Sequence, residues 1–306
     1  MLYAKSITNQ ATNHNDQYRK LLKSIAPRRV YICPYPGNSG DELIIKGTHA
    51  LLENMGIKKT MNASKADLLL SPGGNPTMWQ GVINVLRDIW RRYPLTPFII
   101  GPSTFQSQER SWIEEIWRSG ANVKGLVARD QTSFEVLRTE CLPPKIDIFL
   151  AHDSAFYLRE SIFLKNCLEG VKEDHDLCAF RRDHEAGDGQ KQSFSFLGVT
   201  LPDLLLKKVR NHQRKVFRKR KLERAAYIID GRLPVIIRDV SLMNFDMFLD
   251  MLIRARHVHT DRLHVMICAA LLQKKVYVYP TSYGKLEAVF RHSMHEWADC
   301  EFVPVI

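Results

Sequence analysis

From Arg28 onward, short apolar runs alternate with longer stretches whose apolar residues recur every three or four positions. The short runs, bounded by glycine, proline and small polar residues, read as buried strands, and the longer stretches as helices with one packed face. The first run, Arg28–Cys33, leads through a glycine loop into a helix expected to start at Asp41 as N-cap and to stop at Gly56. Further strands are expected at Asp67–Ser71, Pro97–Gly101, Val123–Ala128 and Ile146–Leu150, with helices around Trp79–Tyr93, Glu109–Ser119 and Gln131–Thr139. Such alternation predicts a parallel sheet covered on both faces, so residues 1–155 form one doubly wound, Rossmann-like α/β domain.

A second series runs through strands Leu177–Phe180, Pro234–Arg238, Arg256–His259, Val276–Tyr279 and Phe302–Val305. Helical patterns at Leu242–Ile253, Asp261–Leu272 and Gly284–Arg291 lie between them. Residues 156–306 therefore form a second Rossmann-like domain, expected to face the first across a cleft where ligands of open α/β sheets bind. Between Arg181 and Ile229 the alternation breaks. Residues 207–224 carry ten Lys/Arg against the single acid Glu223.

Composition narrows the function classes. The 306 residues, 45% hydrophobic with a net charge of +11, suit a globular protein and exclude disorder. The longest apolar run, Val265–Leu272, falls well short of the roughly 20 residues a membrane span needs. The polar first residues lack the apolar stretch of a secretory signal, so a cytoplasmic location is expected. Six scattered cysteines without a CxxC pair point to reduced thiols, and no carboxylate–histidine spacing supports a metal site. Nearly all surplus charge sits in 207–224, which argues against the whole molecule being a nucleic-acid binder.

Candidate chemistry gathers where expected strands end. The Asn38-Ser39-Gly40-Asp41 loop opens a helix and serves either an anion or an ordinary βα turn. Gly73, Gly74 and Asn75 repeat the arrangement after the next strand, where paired glycines let a ligand approach the backbone. Arg129 follows another strand, placed to grip a carboxylate or phosphate with two bonds; the alternative is an Arg–Asp surface pair or a helix cap by Asp130. Arg181 and Arg182 match that logic in the second half, or form a solvated loop cluster.

The densest constellation is His257-Val-His259-Thr-Asp261-Arg262-Leu263-His264, a strand running into a helix. Arg262 and His264 lie in the first turn beside the positive helix end, and His264 exchanges protons near neutral pH. His257 and His259 alternate on the strand and read as core or rim residues. After the next strand, Ser282, Tyr283 and Lys285 offer hydroxyls and a cation at another helix start.

Together, GNSGDELIIKGTHALL, the Gly-Gly loop, ARDQTS and above all TDRLHVMICAALL followed by VYPTSYGK resemble the polysaccharide pyruvyl transferases. One departure is Gln273-Lys274-Lys275, where that family usually carries a glycine. The resemblance implies a glycosyltransferase-B-like fold. It also implies transfer of pyruvate from phosphoenolpyruvate onto two hydroxyls of one sugar, giving a cyclic ketal and phosphate, with no cofactor. On this basis Arg262 and its helix start bind phosphate, Arg129 the carboxylate, His264 delivers a proton and Asp41 orients an acceptor hydroxyl. Gly73, Gly74, Asn75, Leu263, Ser282, Tyr283 and Lys285 then line the donor, and Asn38, Gly40, Arg181 and Arg182 the acceptor side. Many acceptors of such enzymes are lipid-linked glycans. The basic segment, through Lys215, Arg218, Lys219, Arg220 and Lys221, then either meets the anionic inner leaflet or stays a solvated helix. The rival enzyme class is a glycosyltransferase using a nucleotide sugar.

Overall fold

Asp16 starts the first helix, α1 (Gln17–Ile25): its carboxylate accepts from Tyr18 N at 3.0 Å and Arg19 N at 3.2 Å. The helix stops where Ala26 turns left-handed. It buries Tyr18, Leu21 and Leu22, spaced for one face. Three apolar anchors in a polar stretch made this helix hard to foresee. The computed structural model describes residues 16–35, 37–75, 80–106, 110–140, 146–167, 170–181, 195–196, 199–200, 203–240, 243–281, 284–297 and 299–304. The chain divides into two units, Met1–Asn166 with Arg291–His295, and Cys167–Phe290 with Glu296–Ile306.

The first unit continues through β1 (Arg29–Ile32), α2 (Ser39–Asn54), β2 (Lys58–Lys59), β3 (Leu68–Ser71), α3 (Gln80–Arg92) and β4 (Phe98–Ser103). Then follow α4 (Arg110–Arg118), β5 (Val123–Ala128), α5 (Gln131–Glu140) and β6 (Ile148–Leu150). All sheet pairings are parallel, in the order β2-β1-β3-β4-β5-β6. Alternation along the strands feeds two cores. Leu69, Phe98, Ile100 and Leu126 pack with Trp90, Trp112 and Ile116 of α3 and α4, whereas Leu68, Leu70, Ile99 and Val127 pack with Leu22 of α1 and Leu51 of α2. Helices therefore cover both faces, and the strand order reverses between β1 and β3, which opens a crevice at their C-terminal ends.

A 3₁₀ helix, Ser154–Glu160, is tied to this unit at several points. Arg19 grips Glu160 at 2.6 Å, Tyr157 donates to Asp16 at 2.8 Å, and the hydroxyls of Ser154 and Thr48 both reach Pro72 O. These bonds keep residues 156–166 with the first unit, so the division falls later than the expected 155/156.

The second unit holds α6 (Ile162–Cys167) only at its boundary, then β7 (His175–Ala179), the hairpin β8 (Ser195–Phe196) and β9 (Val199–Thr200), and α7 (Asp203–Ile228). It ends with β10 (Val235–Ile237), α8 (Phe245–Ile253), β11 (Ala255–Thr260), α9 (Leu263–Leu271), β12 (Lys275–Val278), α10 (Lys285–Ser293, which from Arg291 on belongs to the first unit) and β13 (Cys300–Phe302). The sheet order is β10-β7-β11-β12-β13, again parallel, with its reversal between β7 and β11. Both units are thus α/β with mostly parallel sheets and flanking helices, as expected.

α7 carries the basic stretch, and it is a layer of the core. Its Ala225 and Leu222 pack with Cys178, Phe180 and Tyr279 of the sheet. Lys221 is fully buried, which corrects its expected membrane-facing role; Lys215, Lys219 and Arg220 are exposed and Arg218 is half-buried. Gln273 adopts a left-handed φ of 58°, a conformation that glycine takes without strain. No described helix is long and apolar enough to cross a membrane.

His259 is buried and His152 half-buried. His259 stacks on Tyr277 and bonds Tyr279 Oη through Nδ1 at 3.0 Å; His152 bonds Ser293 Oγ at 2.9 Å and stacks on His292. Burial pushes both imidazoles down to about 4, with a neighbouring histidine adding to the effect. The unfolded chain titrates them near 6.5, so it binds protons that the folded chain refuses. Their stabilisation is complete above about pH 6.5 and is lost progressively as pH falls toward 4. Melting curves from pH 8 to 4 should decline over that window, and a His152→Gln/His259→Gln protein should decline less. An identical slope in the double variant would remove these residues from the acid response.

Candidate functional site

At the exit of β1 the backbone runs to Asn38, which caps α2 by accepting from Gly40 N at 2.8 Å. Asp41 is the third residue of that helix, not its N-cap as expected, and its carboxylate accepts from Asn38 N at 2.9 Å to close a capping box. Asn38 and Gly40 are therefore bound up in starting the helix, and one Asp41 oxygen with them.

At the exit of β3, Gly73 and Gly74 take φ values of 114° and 98°. A Cβ on Gly73 would lie 2.3 Å from Pro102 O, and one on Gly74 would lie 3.1 Å from Tyr35 Oη. Only glycine lets this loop pass so close to β4 while leaving room for Tyr35. Asn75 N donates to Tyr35 Oη at 3.1 Å. Asn75 Oδ1 is buried and accepts no hydrogen bond among the described residues. Burial, then the carboxylate of Asp41, raises the Tyr35 phenol, so its hydroxyl stays protonated.

Arg129, at the end of β5, departs from expectation. Its guanidinium donates from Nη1 to Asp153 at 2.7 Å and from Nε to Thr104 Oγ1 at 2.9 Å, and its side chain is 2% exposed. It is locked inside the unit rather than offered to a ligand carboxylate. Asp130 takes the capping role instead, accepting from Ser133 N at 2.8 Å and Ser133 Oγ at 2.9 Å, while Ser133 Oγ accepts from Phe105 N. The first unit thus brings Tyr35, Asp41, Gly74, Asn75, Arg129 and Asp153 into one neighbourhood. Tyr35, Thr104 and Asp153 were not singled out in the sequence. A signal existed for Asp153 and Tyr35, since each follows a strand end by a few residues.

The second unit builds its site at the exits of β7 and β11. Thr260 Oγ1 donates to Ala179 O at 2.9 Å and accepts from Arg262 N at 3.0 Å, which joins the two strand ends. Asp261 accepts from Arg181 N at 2.8 Å and from Lys221 Nζ at 2.7 Å. Arg262 is the N-cap of α9 and donates to Asp239 at 2.6 Å. Arg262 itself makes no side-chain cap bond, so among the described residues the N-cap leaves the first turn of α9 uncapped. Leu263 is buried and His264, in the first turn, is half-buried. Lys285 opens α10, and Glu287 accepts from Thr281 N at 3.2 Å. Arg182, Ser282 and Tyr283 lie outside the described residues. What results is a strand-to-helix junction with a guanidinium, an imidazole and an uncapped helix start, an arrangement suited to an anion such as phosphate.

A model of the family described as polysaccharide pyruvyl transferase matches residues 38–283. No curated protein matches. Among solved structures, a functionally uncharacterised protein from Klebsiella pneumoniae subsp. pneumoniae NTUH-K2044 is 24% identical at a TM-score of 0.56, covering 94% of this chain and 97% of that one. The UDP-GlcNAc 2-epimerase of Methanocaldococcus jannaschii, in complex with UDP-GlcNAc and UDP, is 12% identical at a TM-score of 0.39, covering 90% and 88%.

Proposed function

Because the chain belongs to the polysaccharide pyruvyl transferase family, we propose that it moves pyruvate from phosphoenolpyruvate onto two hydroxyls of one sugar in a glycan acceptor. The acceptor is a polysaccharide or its lipid-linked precursor. The observation that carries the donor assignment is the start of α9, where Arg262 and an uncapped helix end meet beside His264. Phosphoenolpyruvate brings a phosphate that this junction complements in charge and geometry.

The chemistry balances as follows. A proton is added to C3 of the enol, the first sugar oxygen bonds to C2, and the C2–O bond to phosphate breaks. The second sugar oxygen then closes the ring on C2. Of the two hydroxyl protons released, one balances the proton taken up at C3 and the other leaves with phosphate. His264 supplies and relays the proton, Arg262 and the first turn of α9 stabilise the departing phosphate, and Asp41 orients the attacking hydroxyl. Arg129 enters this reading as a positioning residue that anchors the strand ends through Asp153 and Thr104.

Calorimetric titration with phosphoenolpyruvate, beside a uridine nucleotide, tests the donor. Wild-type protein should bind phosphoenolpyruvate selectively, and Arg262→Ala should weaken it by about 1.5–3 kcal/mol, the range for a hydrogen bond to a charged group. Selective binding of the nucleotide would replace this reading with that of a nucleotide-sugar glycosyltransferase.

The outer face of α7, with Lys215, Lys219 and Arg220 exposed, is proposed to hold the enzyme on an anionic leaflet, where lipid-linked acceptors reside. Each basic side chain near such a surface contributes about 1 kcal/mol. Flotation with anionic vesicles should therefore be strong at low salt and fall for Lys219→Glu/Arg220→Glu. Equal flotation of the two proteins would place membrane contact elsewhere.

A further inference from the structure

Asp261 and Arg262, consecutive residues at the exit of β11, are each held by an opposite charge from the segment between β7 and β11. Lys221 of α7 meets Asp261 Oδ2 at 2.7 Å, with both side chains 1% exposed. The other oxygen, Oδ1, accepts from Arg181 N at the exit of β7. Arg262 donates to Asp239, just beyond β10.

A lysine at this depth is costly. Burial pushes its ammonium below the ordinary value, opposed by Asp261 and, more weakly, Glu287. Packing does not demand a charge there, because the inward face of α7 otherwise presents Leu222 and Ala225, and the Lys221 ammonium lies 4.5 Å from the centre of the Phe217 ring. A buried ion pair is seldom more stable than an apolar pair of similar volume. What Lys221 does that an apolar residue could not is fix the Asp261 carboxylate, and with it the backbone that leads into α9.

We propose that Lys221 is a positioning residue for the anion site at the start of α9, acting through Asp261 to hold Arg262 and the first helical turn in place. The identity of the anion rests on the donor reading above; the positioning role does not. α7 then has two faces with separate tasks, an outer one carrying exposed cations and an inner one bracing the site.

Phosphoenolpyruvate and inorganic phosphate would be titrated into wild type, Lys221→Met, Lys221→Arg, the pair Lys221→Met/Asp261→Asn and the exposed α7 control Glu223→Gln. Asn at 261 keeps an acceptor for Arg181 N while removing the charge. Melting curves accompany every protein. The expected result is that Lys221→Met weakens phosphoenolpyruvate binding roughly ten- to a hundredfold, in line with the loss of a ligand's supporting shell. Lys221→Arg should recover most of it, and the control should match wild type. The paired variant should regain melting temperature without regaining affinity. Recovery of both in the pair, or full affinity in Lys221→Met, would overturn the proposal and leave the ion pair as a staple.

Should wild type bind neither phosphoenolpyruvate nor phosphate, the donor reading falls and hydrogen exchange in the free protein decides on Lys221. Faster exchange across Thr260–His264 in Lys221→Met than in Glu223→Gln supports positioning; equal rates overturn it.

Discussion

Arg129→Ala is expected to destabilise the protein by about 3–5 kcal/mol, the usual consequence of removing one partner of a buried ion pair. The argument rests on what would remain. Asp153 is fully buried, and its Oδ2 accepts from the Arg129 guanidinium at 2.7 Å. Its other oxygen accepts from Ala155 N and so begins the 3₁₀ helix that ties α1 and α2 together. Without Arg129 that carboxylate loses its compensation, and Thr104 loses a donor. Urea denaturation measures the loss. Arg129→Met/Asp153→Asn should recover part of it, because the amide can still accept from Ala155 N with no unpaired charge left behind. A loss below about 1 kcal/mol, the range of solvated pairs, would mean that the guanidinium is open enough to serve a ligand directly.

His264→Ala should lower turnover by about 10²–10⁴-fold, the usual contribution of a positioned acid or base. Donor affinity should change little, because Arg262 and the helix start of α9 are untouched. Phosphate release from phosphoenolpyruvate in the presence of an acceptor glycan, set beside calorimetric affinity, separates the two quantities. A fall in affinity equal to the fall in turnover would make His264 a binding group. Unchanged turnover would remove it from the mechanism.

These two predictions differ in how far they were legible before folding. His264 follows Arg262 within one strand-to-helix junction, and local spacing alone puts both beside a positive helix end. Arg129 was equally visible at the end of β5, yet its partner lies 24 positions away at the exit of β6. The pattern of Ala128-Arg129-Asp130 suits a ligand site and a buried brace alike. Lys221 is the sharper case, since its charged neighbours read as one solvated stripe. The helix turns that single lysine inward onto Asp261, 40 positions on, and leaves Lys219 79% exposed.

The order of the main strands, the α/β class of both halves, their parallel sheets and the strand ends where chemistry collects were determined by the sequence itself. Apolar periodicity and glycine placement act over a few residues and need no knowledge of distant contacts. The start of α2 shifted from Asp41 to Asn38 for the same local reason, since both residues contribute to one capping box. Tertiary structure alone decided which charges are spent inside the protein and which stay available. A short polar helix such as α1 is stable only once Glu160 and Tyr157 reach it. Desolvation and long-range pairing are set by three-dimensional neighbours, which is why Arg129, Lys221 and Arg262 each close on an acid from a distant part of the chain while Lys215, Lys219 and Arg220 stay exposed.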